Sequence, residues 1–272
     1  MAPVLRSSSR RVDAMHGLLI LDKPSRMSSA AAVAIVKRCA GGAKTGHAGT
    51  LDPLATGVLV LALGSATKSI SKVMASDKRY RTVIDLSAFT TTDDAEGERV
   101  EVRRDEETQR RRDEVVMEGH HSVSSSLSLS VSAPSQEAIV TALHHFTGEF
   151  LQTPPAYSAV KVGGRRAYAI ARAGAEPDIA PRPVIVHALK LIRYDWPHVE
   201  LDIHCGKGFY VRALARDLGK ALGTGGFCAS IRRTAVGPYA LDMARTIEQL
   251  PERLSQDDLL PLCSESHGGA GG

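Results

Sequence analysis

The chain has 272 residues and a mass of 29.0 kDa, enough to bury a sizeable core as one large domain or two small ones. Its 34 Lys and Arg against 30 Asp and Glu leave a formal charge of +4, and the isoelectric point near 8.9 favours a polyanionic partner without requiring one. Cys39, Cys205, Cys228 and Cys263 form no Cys-x-x-Cys pair, which argues against a zinc knuckle or a disulfide framework, and no apolar run approaches the ~20 residues that cross a bilayer. A soluble, cytoplasmic protein is expected.

Residues 1–15 carry Arg6, Arg10, Arg11 and three serines without periodicity and read as a flexible basic tail, with an organellar transit peptide the alternative and Met15 an alternative start. His16 to Pro24 predicts a short apolar strand closed by a turn, after which Ser28 or Ser29 caps a helix bearing Val33, Ile35 and Val36. The next stretch, Gly46-His47-Ala48-Gly49-Thr50-Leu51-Asp52-Pro53-Leu54-Ala55-Thr56-Gly57, sets one acid among small, apolar and turn-forming residues. Its glycines open backbone angles closed to other residues, and Pro53 biases Asp52 toward an extended conformation. A rigid, shaped loop follows. The apolar run Val58 to Leu63 would place the Asp52 carboxylate at the mouth of a core, as a nucleophile or base; the alternative is a turn cap.

This run resembles the catalytic motif of the TruB family of tRNA pseudouridine synthases, Gly-His-x-Gly-x-Leu-Asp-Pro-x-Ala-x-Gly. The preceding Leu21-Asp22-Lys23-Pro24 and Met27-Ser28-Ser29 also resemble the family, where that first motif is architectural, so Lys23 and Pro24 are read as structural. The resemblance implies an α+β fold: a twisted, mainly antiparallel sheet flanked by helices, with a central RNA-binding cleft.

Beyond Gly64 a second helix is expected through Ile70, Val73 and Met74, then a charged turn entering a strand that alternates through Val83 and Asp85. Tyr80, at the strand entry, reads by spacing as a core aromatic; Lys78-Arg79-Tyr80 resembles the family motif whose tyrosine packs on the target base. Thr90 to Gly97 is an Asx turn by its residues. It resembles, more loosely, the family turn whose Asp, here Asp94, contacts the base; Ser87 stands where glycine is usual, and Phe89 and Thr91 replace more polar residues. The charge runs and serine-rich stretch over residues 101–134 read as a mobile insertion. Ser135 then starts a helix with Ile139, Leu143 and Phe146 on one face, and the pairs His120-His121 and His144-His145 make poor metal sites.

Lys161, Arg165, Arg166 and Arg172 form either a phosphate-facing patch or a solvated helix face. Leu201 to Arg212 reads as a strand broken by glycines and then a helix. Here Lys207-Gly208-Phe209-Tyr210-Val211-Arg212 resembles the family's Lys-Gly-x-Tyr-x-Arg, which implies that Arg212 pairs with Asp52 and that Tyr210 lines the pocket. Ile231-Arg232-Arg233-Thr234 resembles Leu-Arg-Arg-Thr: Ile231 replaces a pocket leucine, and Arg233 binds phosphate or holds the fold. A short helix is expected around Ile247 to Leu250, and 263–272 as a flexible tail. Nothing after it is long enough for the family's PUA-type C-terminal domain, so one catalytic domain over 16–262 is expected.

The implied activity is conversion of the T-loop uridine of tRNA, position 55, to pseudouridine. The N-glycosidic bond breaks, the base turns and rejoins through carbon 5, and no oxidation state changes, so no cofactor or metal is needed. Asp52 is the nucleophile, Tyr80, Tyr210 and Ile231 wall the base, and His47 contacts the T-loop. Whether Asp52 attacks base or sugar stays open, as does the proton-abstracting group, with Tyr80 the first candidate. The partner is the tRNA T-arm, bound by a monomer. Two alternatives are a TruB-like RNA chaperone and a guide-RNA-dependent synthase of the Cbf5 or dyskerin type.

Overall fold

The computed structural model describes residues 15–100 and 132–262; the tail at 1–14, the body of the insertion and residues 263–272 lie outside them. The chain divides into two compact units, one of residues up to Tyr80 together with those from Arg232 onward, the other from Arg81 to Ile231.

In the first unit β1 (Gly17–Lys23) runs antiparallel to β3 (Thr56–Leu63) in unbroken register from Gly17↔Leu63 to Lys23↔Gly57. β2 (Thr45–His47) pairs antiparallel with the far end of β3, and the last part of β12 (Phe227–Val236) pairs parallel with its start. β3 is apolar without alternation because both its faces are covered. Val58, Val60 and Ala62 pack with Leu18, Ile20, Val73 and Val236, while Leu59, Leu61 and Leu63 on the opposite face are also fully buried. Between β1 and β2, α1 (Ser29–Cys39) starts at Ser28, whose side chain accepts from the Ala31 N–H, and stops at Gly41 and Gly42, both at positive φ. After β3 a 3₁₀ turn, Gly64–Ser69, leads into the short α2 (Ile70–Ala75).

The second unit holds the larger part of β4 (Lys78–Asp85), followed in sheet order by β11 (His198–Cys205), β10 (Arg182–Asp195) and β7 (Gly148–Gln152). The β11–β10 and β10–β7 ladders are antiparallel. α3 (Gln136–His144), capped by the Ser135 hydroxyl, packs on β10 and on α5 (Val211–Leu222), which ends at Gly223 in the left-handed conformation. Two short ladders complete it, β5 (Phe89–Thr90) with β6 (Arg99–Val100), and β8 (Lys161–Val162) with β9 (Arg165–Arg166), the latter followed by α4 (Ala167–Ala171). The fold is α+β with a mainly antiparallel sheet, as the family resemblance implies.

Three local expectations change. Residues 247–250 form turns rather than a helix, because the Gln249 and Leu250 N–H groups bond three residues back and Pro251 ends the run. Lys161, Arg165 and Arg166 lie on the β8–β9 hairpin, closed by Gly163 and Gly164 at positive φ, and not on a helix face. In β4 the buried phase is Thr82 and Ile84, with Val83 more open.

Candidate active site

The Asp52 loop is fixed from both sides by side chains of the first unit. Just before Asp52, the Ser29 hydroxyl donates to the Leu51 carbonyl at 2.9 Å and accepts from the Leu51 N–H at 2.8 Å. Just after it, the Pro53 carbonyl accepts from the Arg26 N–H at 2.8 Å and from Lys23 Nζ at 3.4 Å. Lys23 is fully buried and also donates to the carbonyls of Pro24 and Met27. The structural reading of Lys23 therefore holds, and Ser29, one residue past the cap, has a task that its position did not announce. Asp52 itself is half-buried, and its carbonyl accepts from the Ala55 N–H.

Arg233, 2% exposed, holds the loop from below. Its Nε donates to the Val58 carbonyl at 2.7 Å, and its terminal nitrogens donate to the carbonyls of Gly49 at 3.1 Å and Thr50 at 3.5 Å. Of the two roles considered for Arg233, holding the fold is the one its burial allows; as a phosphate contact it would have to leave the core and strand three carbonyls. Gly57 lies beside its backbone at φ 99°, where a Cβ would come within 2.1 Å of the Arg233 carbonyl oxygen, so this position admits only glycine. His47, on β2, has a half-buried ring whose Nδ1 is buried without a hydrogen-bond partner among the described residues. Burial first, and then the nearby Arg233 guanidinium, lower its pKa from the usual 6.5 and favour the neutral ring.

The second unit supplies Arg212, Tyr210, Asp94 and Ile231. Tyr210 stands at the start of α5, its backbone clamped by Gln152, which accepts from the Tyr210 N–H at 2.9 Å and donates to its carbonyl at 3.1 Å. Its ring packs against Val160, Ala167 and Ile179. Arg212, in the first turn of α5, is 5% exposed rather than at the surface. It donates to the Thr92 carbonyl at 2.9 Å and the Tyr157 carbonyl at 2.8 Å, and lies 3.6 Å from Asp94 Oδ2. Asp94 is 3% exposed and closes an Asx turn, its Oδ1 accepting from the Thr92 hydroxyl and the Glu96 N–H. Ile231 is buried, and Tyr80, on β4 in the first unit, is half-buried. Thus the first unit gathers Asp52, His47 and Arg233 about one loop, and the second brings Arg212 and Asp94 together.

Comparison with known proteins bears on the family. The model of the TruB family pseudouridylate synthase N-terminal domain matches residues 37–128 and 117–211, and that of the tRNA pseudouridylate synthase B C-terminal domain matches 212–260. A tRNA pseudouridine synthase B of Arthrobacter sp. (strain FB24) is 43% identical over 246 residues, covering 88% of this chain and 72% of that protein. Its namesake in Dinoroseobacter shibae is 44% identical over 248 residues, covering 91% and 72%. Among solved structures, a Cbf5-Nop10-Gar1 complex matches with a TM-score of 0.61 at 24% identity, over 87% of this chain and 54% of that one, a likeness of fold alone. No described helix is long and apolar enough to cross a membrane. With the aspartate motif intact and the two family models adjoining at residues 211 and 212, the chain belongs to the TruB family of pseudouridine synthases.

Proposed function

We propose that this enzyme isomerises the uridine at position 55 in the T-loop of tRNA to pseudouridine, with Asp52 as nucleophile. The observation that carries the reading is the anchoring of the Asp52 peptide on both sides, by Ser29 at Leu51 and by Lys23 and Arg26 at Pro53. Such preorganisation is what an attacking group needs, since orientation supplied in advance lowers the barrier.

The target base leaves the RNA stack to reach the carboxylate. Asp52 attacks the flipped nucleotide and forms a covalent bond to it, the N-glycosidic bond breaks, and the detached uracil turns. Carbon 5 then bonds to the ribose, the bond to Asp52 breaks to return the carboxylate, and the proton on carbon 5 is lost while N1 takes one up. Arg212, which the family resemblance pairs with Asp52, directs the attacking carboxylate, its own guanidinium held by Thr92, Tyr157 and Asp94. Asp94, with Oδ1 committed to its turn, acts through Arg212 and meets the base only with its remaining oxygen. Tyr80, Tyr210 and Ile231 wall the base, and Tyr80 is the first candidate to take the proton from carbon 5. His47, as a neutral ring, fills the space that the flipped uridine vacates. The tRNA is engaged through its T-arm by a monomer in the cytoplasm.

Tritium release from tRNA labelled at carbon 5 of uridine tests the reading. The unaltered protein releases tritium, and Asp52→Asn loses activity by about 10³-fold or more while still binding tRNA. Absence of release from either protein, with binding retained, would overturn it in favour of an RNA chaperone or an enzyme needing a guide RNA.

A further inference from the structure

One helical turn beyond Arg212, α5 carries a second sequestered arginine. Arg216 follows by four residues, so both side chains leave the same face of the helix. They reach the same two segments. Arg212 donates to the carbonyls of Thr92 and Tyr157. Arg216 donates to the Asp93 carboxylate at 3.0 Å and to the Thr153 carbonyl at 2.8 Å, and also holds the neighbouring Asp217 at 2.9 and 3.2 Å.

Asp93 is an unusual residue to place there. Its φ of 60° is a left-handed conformation that acids adopt only at some cost, and its side chain is 13% exposed against 17% for Arg216. The surrounding backbone is fixed as well: the Cys228 N–H donates to the Asp93 carbonyl and the Ala95 N–H to the Cys228 carbonyl, both at 3.0 Å. Burial raises the Asp93 pKa, and Arg216 leads the charges that pull it back. A strained, largely buried acid kept in place by one arginine is a feature the described catalytic scheme does not use.

We infer that Arg216 and Asp93 are a positioning pair whose ion pair seats the Thr90–Gly97 turn on α5 and so sets the Arg212 guanidinium against Asp94. Asp93 lies between Thr92, whose carbonyl Arg212 grips, and Asp94, whose carboxylate it faces. Any displacement of Asp93 moves two of the three partners of Arg212, Thr92 and Asp94, together. A shift of ~1 Å far from the chemistry is enough to cost ~10²-fold in rate. The inference rests on the role of Arg212 in the proposed function, and neither Arg216 nor Asp93 touches RNA in it.

The test compares the full chain with Arg216→Met, Arg216→Lys, Asp93→Asn and the double variant Asp93→Asn/Arg216→Met. Tritium release gives kcat and KM, filter binding gives the tRNA Kd, and circular dichroism verifies folding at the assay temperature. Arg216→Met and Asp93→Asn each lower kcat by roughly 10- to 100-fold with KM and Kd within about twofold. The double variant is no slower than Arg216→Met alone, because the pair acts as a unit. Arg216→Lys keeps the charge but not the fork to Asp93 and Thr153, recovers part of the rate, and carries the test if the methionine variant does not fold. Unchanged kcat in folded variants, multiplicative losses in the double variant, or a raised Kd with kcat intact would each overturn the pair as a positioning device. An inactive unaltered protein overturns the functional reading and this inference with it; an active one with unaffected variants overturns the inference alone.

Discussion

The Asp52 loop of the first unit and the Thr90–Gly97 turn of the second are both held by buried or largely buried cations, but those cations are answered differently. Around Asp52, Arg233 and Lys23 donate to carbonyl oxygens of the loop and its flanks. Around the turn, Arg212 and Arg216 meet carboxylates as well as carbonyls. A carbonyl cannot be protonated in the working range, whereas a buried carboxylate changes charge with its surroundings. The first arrangement gives a fixed frame; the second gives one whose strength depends on pairing and on pH.

The sharpest way to break the comparison is to remove the fixed frame. Arg233→Met leaves the Val58, Gly49 and Thr50 carbonyls unanswered and is expected to cost about 3–5 kcal/mol, read as a fall in the urea midpoint with activity lost. Ser29→Ala is milder. It removes both bonds to Leu51 for about 1–2 kcal/mol, and kcat measured on the folded variant falls further than tRNA affinity.

The smallest effect separates the two regions by sign. The folded pKa of His47 lies below 6.5, so as pH falls through 6.5 the unfolded chain takes up a proton that the folded one resists, and stability drops. The folded pKa of Asp93 lies above its usual 3.8, so as pH falls through that raised value toward 3.8 the folded chain takes the proton first, and stability gains. Urea midpoints measured from pH 7.5 to pH 4 should therefore lose slope in His47→Gln and gain slope in Asp93→Asn. The same slope in both variants as in the unaltered protein would place the pH dependence elsewhere.

These regions also differed in how much of them could be read beforehand. The Asp52 loop was legible because its constraints are local: three glycines and a proline within twelve residues, in a family pattern, with an apolar run directly after them. Several helices were legible for similar reasons, since Ser28 and Ser135 are cap residues and α5 follows a glycine-rich break. What holds the loop was not. Ser29 and Leu51 are 22 residues apart, and nothing in a second serine after a cap announces a partner that distant. Arg233 read equally well as a phosphate contact, because burial of an arginine depends on carbonyls that only the assembled β3–β12 pairing presents. Arg216 and Asp93, separated by 123 residues, had no local sign at all. The turn at 247–250 failed for the opposite reason: its apolar spacing suits a helix, but Pro251 leaves no room for one.

The bonds from Arg233 to the loop also set an order of events during synthesis. Thr50 and Arg233 are 183 residues apart, so a ribosome adding ~5–20 residues per second needs about 10–40 s between making the loop and making its anchor. Throughout that interval the nascent chain already carries Asp52 and the Ser29 that pins it, yet has no guanidinium to gather the carbonyls of Gly49, Thr50 and Val58. Competence for chemistry is thereby deferred until the strand bearing Arg233 has left the exit tunnel, and a chain interrupted before that strand would carry the aspartate without the frame that aims it.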